Sequence, residues 1–218
     1  MKVITGEAYI QELIKEGEHQ QQDFKFEISD VCKIAKSLSA FANTDGGRLL
    51  IGVKDNGKIA GIRSEEEQYM IQAAAEIYCV PAIDYELHTY LVEGKQVLLA
   101  EIKPSQQRPV FSKDSEGKLL AYVRVADENI LATPVHLRLW HQDGDQRGEL
   151  TEFTEKEQHL LNLLDTHERL TLNRCCKLAG LPRHTTIKLL ARFIRYGIVE
   201  AVYQEQKFFF TQKWQKDK

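Results

Sequence analysis

The 218-residue chain has no apolar run approaching the roughly 20 residues that a membrane-crossing helix needs. No membrane-crossing helix is therefore expected in it. The opening stretch MKVITGEAYIQEL carries acids where a secretory signal requires continuous apolar residues, so a cytoplasmic location and no membrane partner are expected. Cysteine is scarce: Cys32, Cys79, Cys175 and Cys176 form no CxxC and have no histidines at zinc-finger spacing. Cys32 and Cys79 lie in apolar helical patterns and are expected as buried free thiols, and a bond between the adjacent Cys175 and Cys176 would be strained. Five prolines are too few for a disordered or fibrous chain, and 43% apolar content is enough for ordinary cores. No GxxxxGK[ST] supports a P-loop, and the stretch from Gly52 to Gly57 is not a dinucleotide fingerprint. The seven histidines include no HExxH, and Ser105 has no identifiable triad partners.

What is present is a charge split. Residues 1–150 hold 17 Lys and Arg against 24 Asp and Glu, and residues 151–218 hold 12 against 8. A net of −7 beside a net of +4 points to a polyanion partner for the tail and not for the whole surface.

Periodicity gives the first 140 residues an α+β character. An amphipathic helix is expected over 7–16, and Phe24 and Phe26 alternate with charge in a strand over 20–27. Ser29 or Asp30 caps a helix running to Asn43, with Val31, Ile34, Ala35, Leu38, Phe41 and Ala42 on one stripe. Asn43-Thr44-Asp45-Gly46-Gly47 stops it. Leu49, Leu50, Ile51 and Val53 read as a central strand. Asp55-Asn56-Gly57-Lys58 signals a type I′ turn, with Ile59 to Ile62 returning as the partner strand. A helix over 65–78, strands over 83–92, 95–102 and 118–125, and a short helix from Pro134 to Trp140 closing the domain complete the set. Hairpins mixed with helices argue for an α+β sandwich and against a doubly wound sheet.

The polar stretch from His141 to Glu149 has two glycines and sits where the charge changes sign. The expected division is a domain over 1–141, a linker over 142–150 and a second domain over 151–218. In the second domain Thr154 and Glu157 form a capping box, with Leu160, Leu161 and Leu164 behind it. A second helix runs from Thr171 or Leu172 to Leu178 and stops at Gly180. Pro182 takes the first position of a third helix, which carries Ile187, Leu189, Leu190, Phe193 and Ile194 and ends at Gly197. Ile198–Val202 and Lys207–Phe210 form a terminal hairpin. Three helices and a hairpin is the winged helix-turn-helix order.

Polarity supplies the function of that module. Arg174, Lys177, Arg183, Lys188, Arg192 and Arg195 fall in a span without Asp or Glu. Arg183, His184, Thr185 and Thr186 stand where a recognition helix reaches base edges, while Lys188, Arg192 and Lys207 are placed for phosphates. The plainer alternative is a protein-docking module with a solubilising basic face. The run GLPRHTTIKLLARFIRYGIVE resembles bacterial winged-helix regulators.

The segment from Gly17 to Lys25 (GEHQQQDFK), SLSAFANTDGGRLLIGVKDNGKIAGI at 37–62, KPSQQRPVF at 103–111 and AYVRVADENI at 121–130 together resemble the Schlafen-related AlbA_2 family across most of residues 10–135. The resemblance implies a nucleic-acid-binding domain, often followed in bacteria by a winged helix. Some animal members look like RNA-cleaving enzymes with three carboxylates. Those positions fall on Glu18, Asp23 and Asp55, with aspartate replacing glutamate at 23. Convergent carboxylates can hold Mg²⁺ or Mn²⁺ for phosphodiester hydrolysis, with Lys25 steadying phosphate charge. Against this, the turn alone accounts for Asp55, and Gly46-Gly47 for a change of direction. Arg48, Lys103, Arg108 and Arg124 are the basic positions through which this domain would meet nucleic acid.

The reading is therefore a double-stranded-DNA-binding transcriptional regulator, expected as a homodimer on two half-sites, without a cofactor. The rivals are a metal-dependent nuclease and a protein-interaction adaptor.

Overall fold

The computed structural model describes residues 6–143 and 154–213. The chain divides into two compact units, Met1–Leu131 and Ala132–Lys218.

The first unit is built on a four-stranded sheet ordered β1-β2-β5-β4, with β1 Gln22–Lys25, β2 Gly47–Ile51, β4 Tyr85–Val92 and β5 Lys95–Ile102. β1 runs parallel to β2, and the other pairs are antiparallel. Successive side chains of a strand point to opposite faces, and here both faces are covered. Leu49, Ile51, Leu98, Ala100 and Ile102 pack with helix α2 (Val31–Asn43). Leu50, Val97 and Leu99 pack with Ile10 and Leu13 of helix α1 (Gly6–Glu16). This two-sided burial is why β2 is apolar without alternation.

Helix α2 begins at Asp30, whose carboxylate accepts the Cys32 N–H at 2.8 Å. Beyond its apolar stripe, Ser37, Ser39 and Asn43 are buried too, against a second sheet. That sheet is ordered β3-β6-β7-β8, from Cys79–Val80, Phe111–Lys113, Leu119–Val125 and Glu128–Leu131. The Ser39 hydroxyl donates to Val110 O at 2.8 Å. Asn43 donates to Val110 O and Tyr122 O and accepts the Val110 N–H at 2.8 Å. A side chain in the run that stops the helix thus joins segments far along the chain, satisfying buried groups that would otherwise be costly.

The Gly46-Gly47 pair is fixed by space. A Cβ on Gly47 would fall 2.4 Å from the Phe41 ring, and one on Gly46 (φ +72) would fall 2.6 Å from Ile102 O. The turn after β2 differs from expectation. Gly57 has positive φ but Asp55 and Asn56 do not, and Gly57 N–H donates to Lys54 O at 2.7 Å. This is an ordinary turn followed by a left-handed glycine, not type I′. Ile59 forms a single bridge to Val53, so no return strand develops. Helix α3 (Glu66–Ala73) continues as a π-helical turn, Ala74–Tyr78.

The second unit has helices α4 Pro134–Asp143, α5 Glu155–Thr166, α6 Leu172–Ala179 and α7 Arg183–Arg195. Its three-stranded sheet is ordered β10-β11-β9, from Val199–Gln204, Lys207–Gln212 and Leu170–Thr171. Leu160, Leu164, Cys175, Leu190, Phe193 and Phe210 form its core. The carboxylate of Glu157 accepts from both the Thr154 N–H and hydroxyl at 2.8 Å, so the capping pair is present. Pro182 precedes α7 as its cap residue. The helix expected to close the first domain, α4, instead buries Val135 in the second core. Gln142 and Asp143, expected in the linker, end that helix, and residues 144–150 of the linker lie outside the described residues. All four cysteines are free; Cys79 and Cys175 are buried, whereas Cys32 is half-buried and not enclosed as expected. No helix among the described residues is long and apolar enough to cross a membrane.

Candidate nucleic-acid interface

Helix α6 starts at Thr171, whose hydroxyl accepts the Arg174 N–H, and ends at left-handed Gly180. Helix α7 is held by Leu189, Leu190 and Phe193, all buried. That anchoring leaves Arg174, Lys177, Arg183, His184, Lys188 and Arg195 exposed, and Lys207 is exposed at the start of β11. Arg183 Nη1 donates to Asn173 Oδ1 at 2.5 Å, tying the start of α7 to α6. Thr185 is half-buried beside His184.

Two expected contacts face the wrong way. Thr186 is fully buried, and its hydroxyl donates to Pro182 O at 3.2 Å. It lies on the flank of α7 that meets the core, so it cannot read a base. Arg192 pairs with Glu157, with side chains 15% and 3% exposed. Its guanidinium completes the α5 cap and helps hold Glu157 below its ordinary pKa, against burial, which acts in the opposite direction. A phosphate contact would have to break that pair.

In the first unit the basic positions are largely engaged. Arg48 sits 3.1 Å from Glu16 and Lys103 sits 2.6 Å from Glu86. Arg108 is exposed in the loop before Pro109. Arg124 is the clear correction: it is 2% exposed. It donates to Gln22 O at 3.0 Å and Asn129 Oδ1 at 3.0 Å, lies 5.0 Å over the Phe41 ring, and faces Asp23 at 3.4 Å. It is a core bracket between β7 and β1, with no surface for nucleic acid.

Glu18, Asp23 and Lys25 do come together. Lys25 Nζ lies 2.7 Å from Asp23 Oδ2, and Glu18 Oε1 accepts the Phe24 N–H at 2.9 Å. Burial, then a hydrogen bond with Asp23, raise the Glu18 carboxyl above its ordinary pKa. Asp55 does not join them; it is exposed in the turn after β2. Both Asp23 oxygens already face cations, and Glu18 serves a backbone amide. These residues do not fit Mg²⁺ or Mn²⁺ held by three convergent carboxylates.

Among the described residues the ligand atoms that do converge, within 4.8 Å, belong to Glu86, His88 and Glu101. Glu86 and His88 alternate on β4, and Glu101 is the register partner of Glu86 on β5. The alternation was visible in sequence; the cross-strand register was not. The Lys103 ammonium pairs with Glu86 of this group and lowers its pKa through a hydrogen bond and charge.

The first unit is thus a mixed α/β domain whose signature glycines and asparagine fix a helix between two sheets. Residues 18–133 match the Schlafen, AlbA_2 family model, more than half of the chain. The chain belongs to that family. No curated protein matches it. Among solved structures, it is similar to the DIP2311 protein from Corynebacterium diphtheriae, at 17% identity and a TM-score of 0.47 over 87% of this chain and 34% of that one. It is also similar to the N-terminal domain of a RecG-related protein from Nitrosomonas europaea, at 23% identity and a TM-score of 0.40 over 53% of this chain and 86% of that one. The chain therefore spans about a third of the length of the Corynebacterium protein.

Proposed function

We propose that this is a nucleic-acid-binding protein whose second unit is a winged helix that docks on double-stranded DNA, in the manner of a transcriptional regulator. The observation that carries the reading is the exposure of Arg174, Lys177, Arg183, Lys188 and Arg195 along α6 and α7, in a span free of Asp and Glu. Lys207 at the start of β11 extends the same chemistry to the hairpin. In this reading Arg183, His184 and Thr185 at the start of α7 meet base edges, and Lys188, Arg195 and Lys207 meet phosphates. The family assignment of the first unit agrees with a nucleic-acid role. Two copies on paired half-sites would supply specificity that one small module lacks.

Duplex binding titrated against salt tests the reading. Each phosphate contact should add about −0.9 to the slope of log affinity against log salt. Lys188→Ala should weaken all duplexes alike and flatten that slope, whereas Arg183→Ala should lose affinity in a sequence-dependent way. Duplex binding unchanged in both variants would falsify the docking geometry.

A further inference from the structure

We propose that the second unit carries a binding site for a small organic anion with an apolar, ring-sized body, in the cleft where three of its helices begin. The cleft has a volume of about 390 Å³, within the range of small-molecule sites. Its wall includes Pro134, the first residue of α4, Leu172 and Asn173, the first residues of α6, and Arg183, the first residue of α7. A helix start presents partial positive charge, and here three of them line one space. Arg183 and Lys207 add two full charges, and no Asp or Glu lines the cleft.

Apart from Thr133 and Thr171, the rest of the wall is apolar. Leu172 and Phe210 are buried and Phe208 is half-buried, with its ring edge-on to His136 at 4.7 Å between centroids. An inorganic anion would leave that wall uncovered. A neutral apolar compound would leave the converging positive charge unused. A carboxylate on an aromatic body satisfies both. Arg183 is held at the rim by Asn173, so the group that would meet the carboxylate is already positioned.

Arg183 and Lys207 also belong to the DNA-contacting set, so an occupied cleft should compete with duplex. That consequence rests on the function proposed above, but binding to the cleft does not.

The full chain should be titrated with 2-naphthoate and with the neutral 2-naphthamide by calorimetry, without DNA. The acid is expected to bind at least tenfold tighter than the amide. Arg183→Gln and Lys207→Gln, both at exposed positions, should each lose several-fold, with unchanged thermal melting showing that the fold survives. Equal affinity for acid and amide, no binding of the acid, or binding indifferent to both variants would overturn the site. In a second arm the acid is added to preformed protein–duplex complex. Displacement supports competition, and undiminished duplex binding beside a filled cleft overturns it. Duplex binding without naphthoate binding rejects this site alone, whereas naphthoate binding without duplex binding rejects the DNA reading alone.

Discussion

The two units differ in what they do with the cations that the sequence singles out. In the first, Lys25, Arg48, Arg63, Lys103 and Arg124 each lie on a carboxylate of the same unit. In the second, Arg192 is given to Glu157 and Arg169 to Glu205, but Arg174, Lys177, Arg183, Lys188 and Arg195 stand exposed on α6 and α7. A count of basic residues describes the field around a unit. It does not say which charges are available to a partner, because a buried pair has spent its charge on the fold.

The sharpest break of this comparison is at Arg124. Removing Arg124 takes the cation from Asp23 Oδ1 and the donor from Gln22 O, leaving Lys25 alone on the buried carboxylate, and breaking a buried pair costs about 3–5 kcal/mol. Arg124→Ala should therefore lower the unfolding free energy of the first unit by that amount in urea titration. An unchanged midpoint would mean that Asp23 is not enclosed as described.

In the second unit the expected sensitivity is to acid. Burial, against Phe208 and Trp140, lowers the pKa of His136 to about 4 from an ordinary 6.5. The unfolded chain takes the proton more readily, so the contribution is complete above pH 6.5 and is lost as pH falls toward 4. The full effect is on the order of 3 kcal/mol. His136→Phe should remove most of the pH dependence of unfolding between those values; an unaltered profile would assign it to other groups.

Arg192 and Arg183 offer a paired test on one helix. Arg192→Ala should cost about 2 kcal/mol of stability, as a hydrogen bond to a buried charged group is lost. Arg183→Ala should stay within about 0.5 kcal/mol, as surface changes usually do, while duplex affinity falls. The reverse pattern would mean that the two residues had been assigned to the wrong sides of α7.

The smallest effect is a gain. The β10–β11 turn places Glu205 and Gln206 at φ +50 and +59, a conformation that favours Asn-Gly. Replacing the pair by Asn-Gly should stabilise the second unit by about 1 kcal/mol in thermal melts.

The parts legible in the sequence are those written locally. The stripe on α2, the stop at Gly46-Gly47, the β4–β5 hairpin and the helix order of the second unit all follow from neighbours along the chain. Strands β3 and β9 hold two residues each and exist through distant pairing, such as Cys79 with Ser112 and Leu170 with Phe210, while β6 and β8 hold only three and four residues beside β7. The exposed cations of α6 and α7 follow from helical periodicity. Arg124 does not: its burial depends on Asp23 and on backbone carbonyls near residue 20, and nothing beside it in β7 announces them. Thr186 and Arg192 show the finer limit, since a basic or polar run around a helix includes positions on its inward flank.

The bracket between β7 and β1 also orders events during synthesis. Asp23 leaves the ribosome long before Arg124, and until that guanidinium arrives only Lys25 faces a carboxylate that hydrocarbon neighbours cannot enclose at low cost. The start of the sheet must therefore stay hydrated while the chain lengthens. The first unit then closes late and as a whole, a sequence of events that long-range contacts impose on any nascent polypeptide.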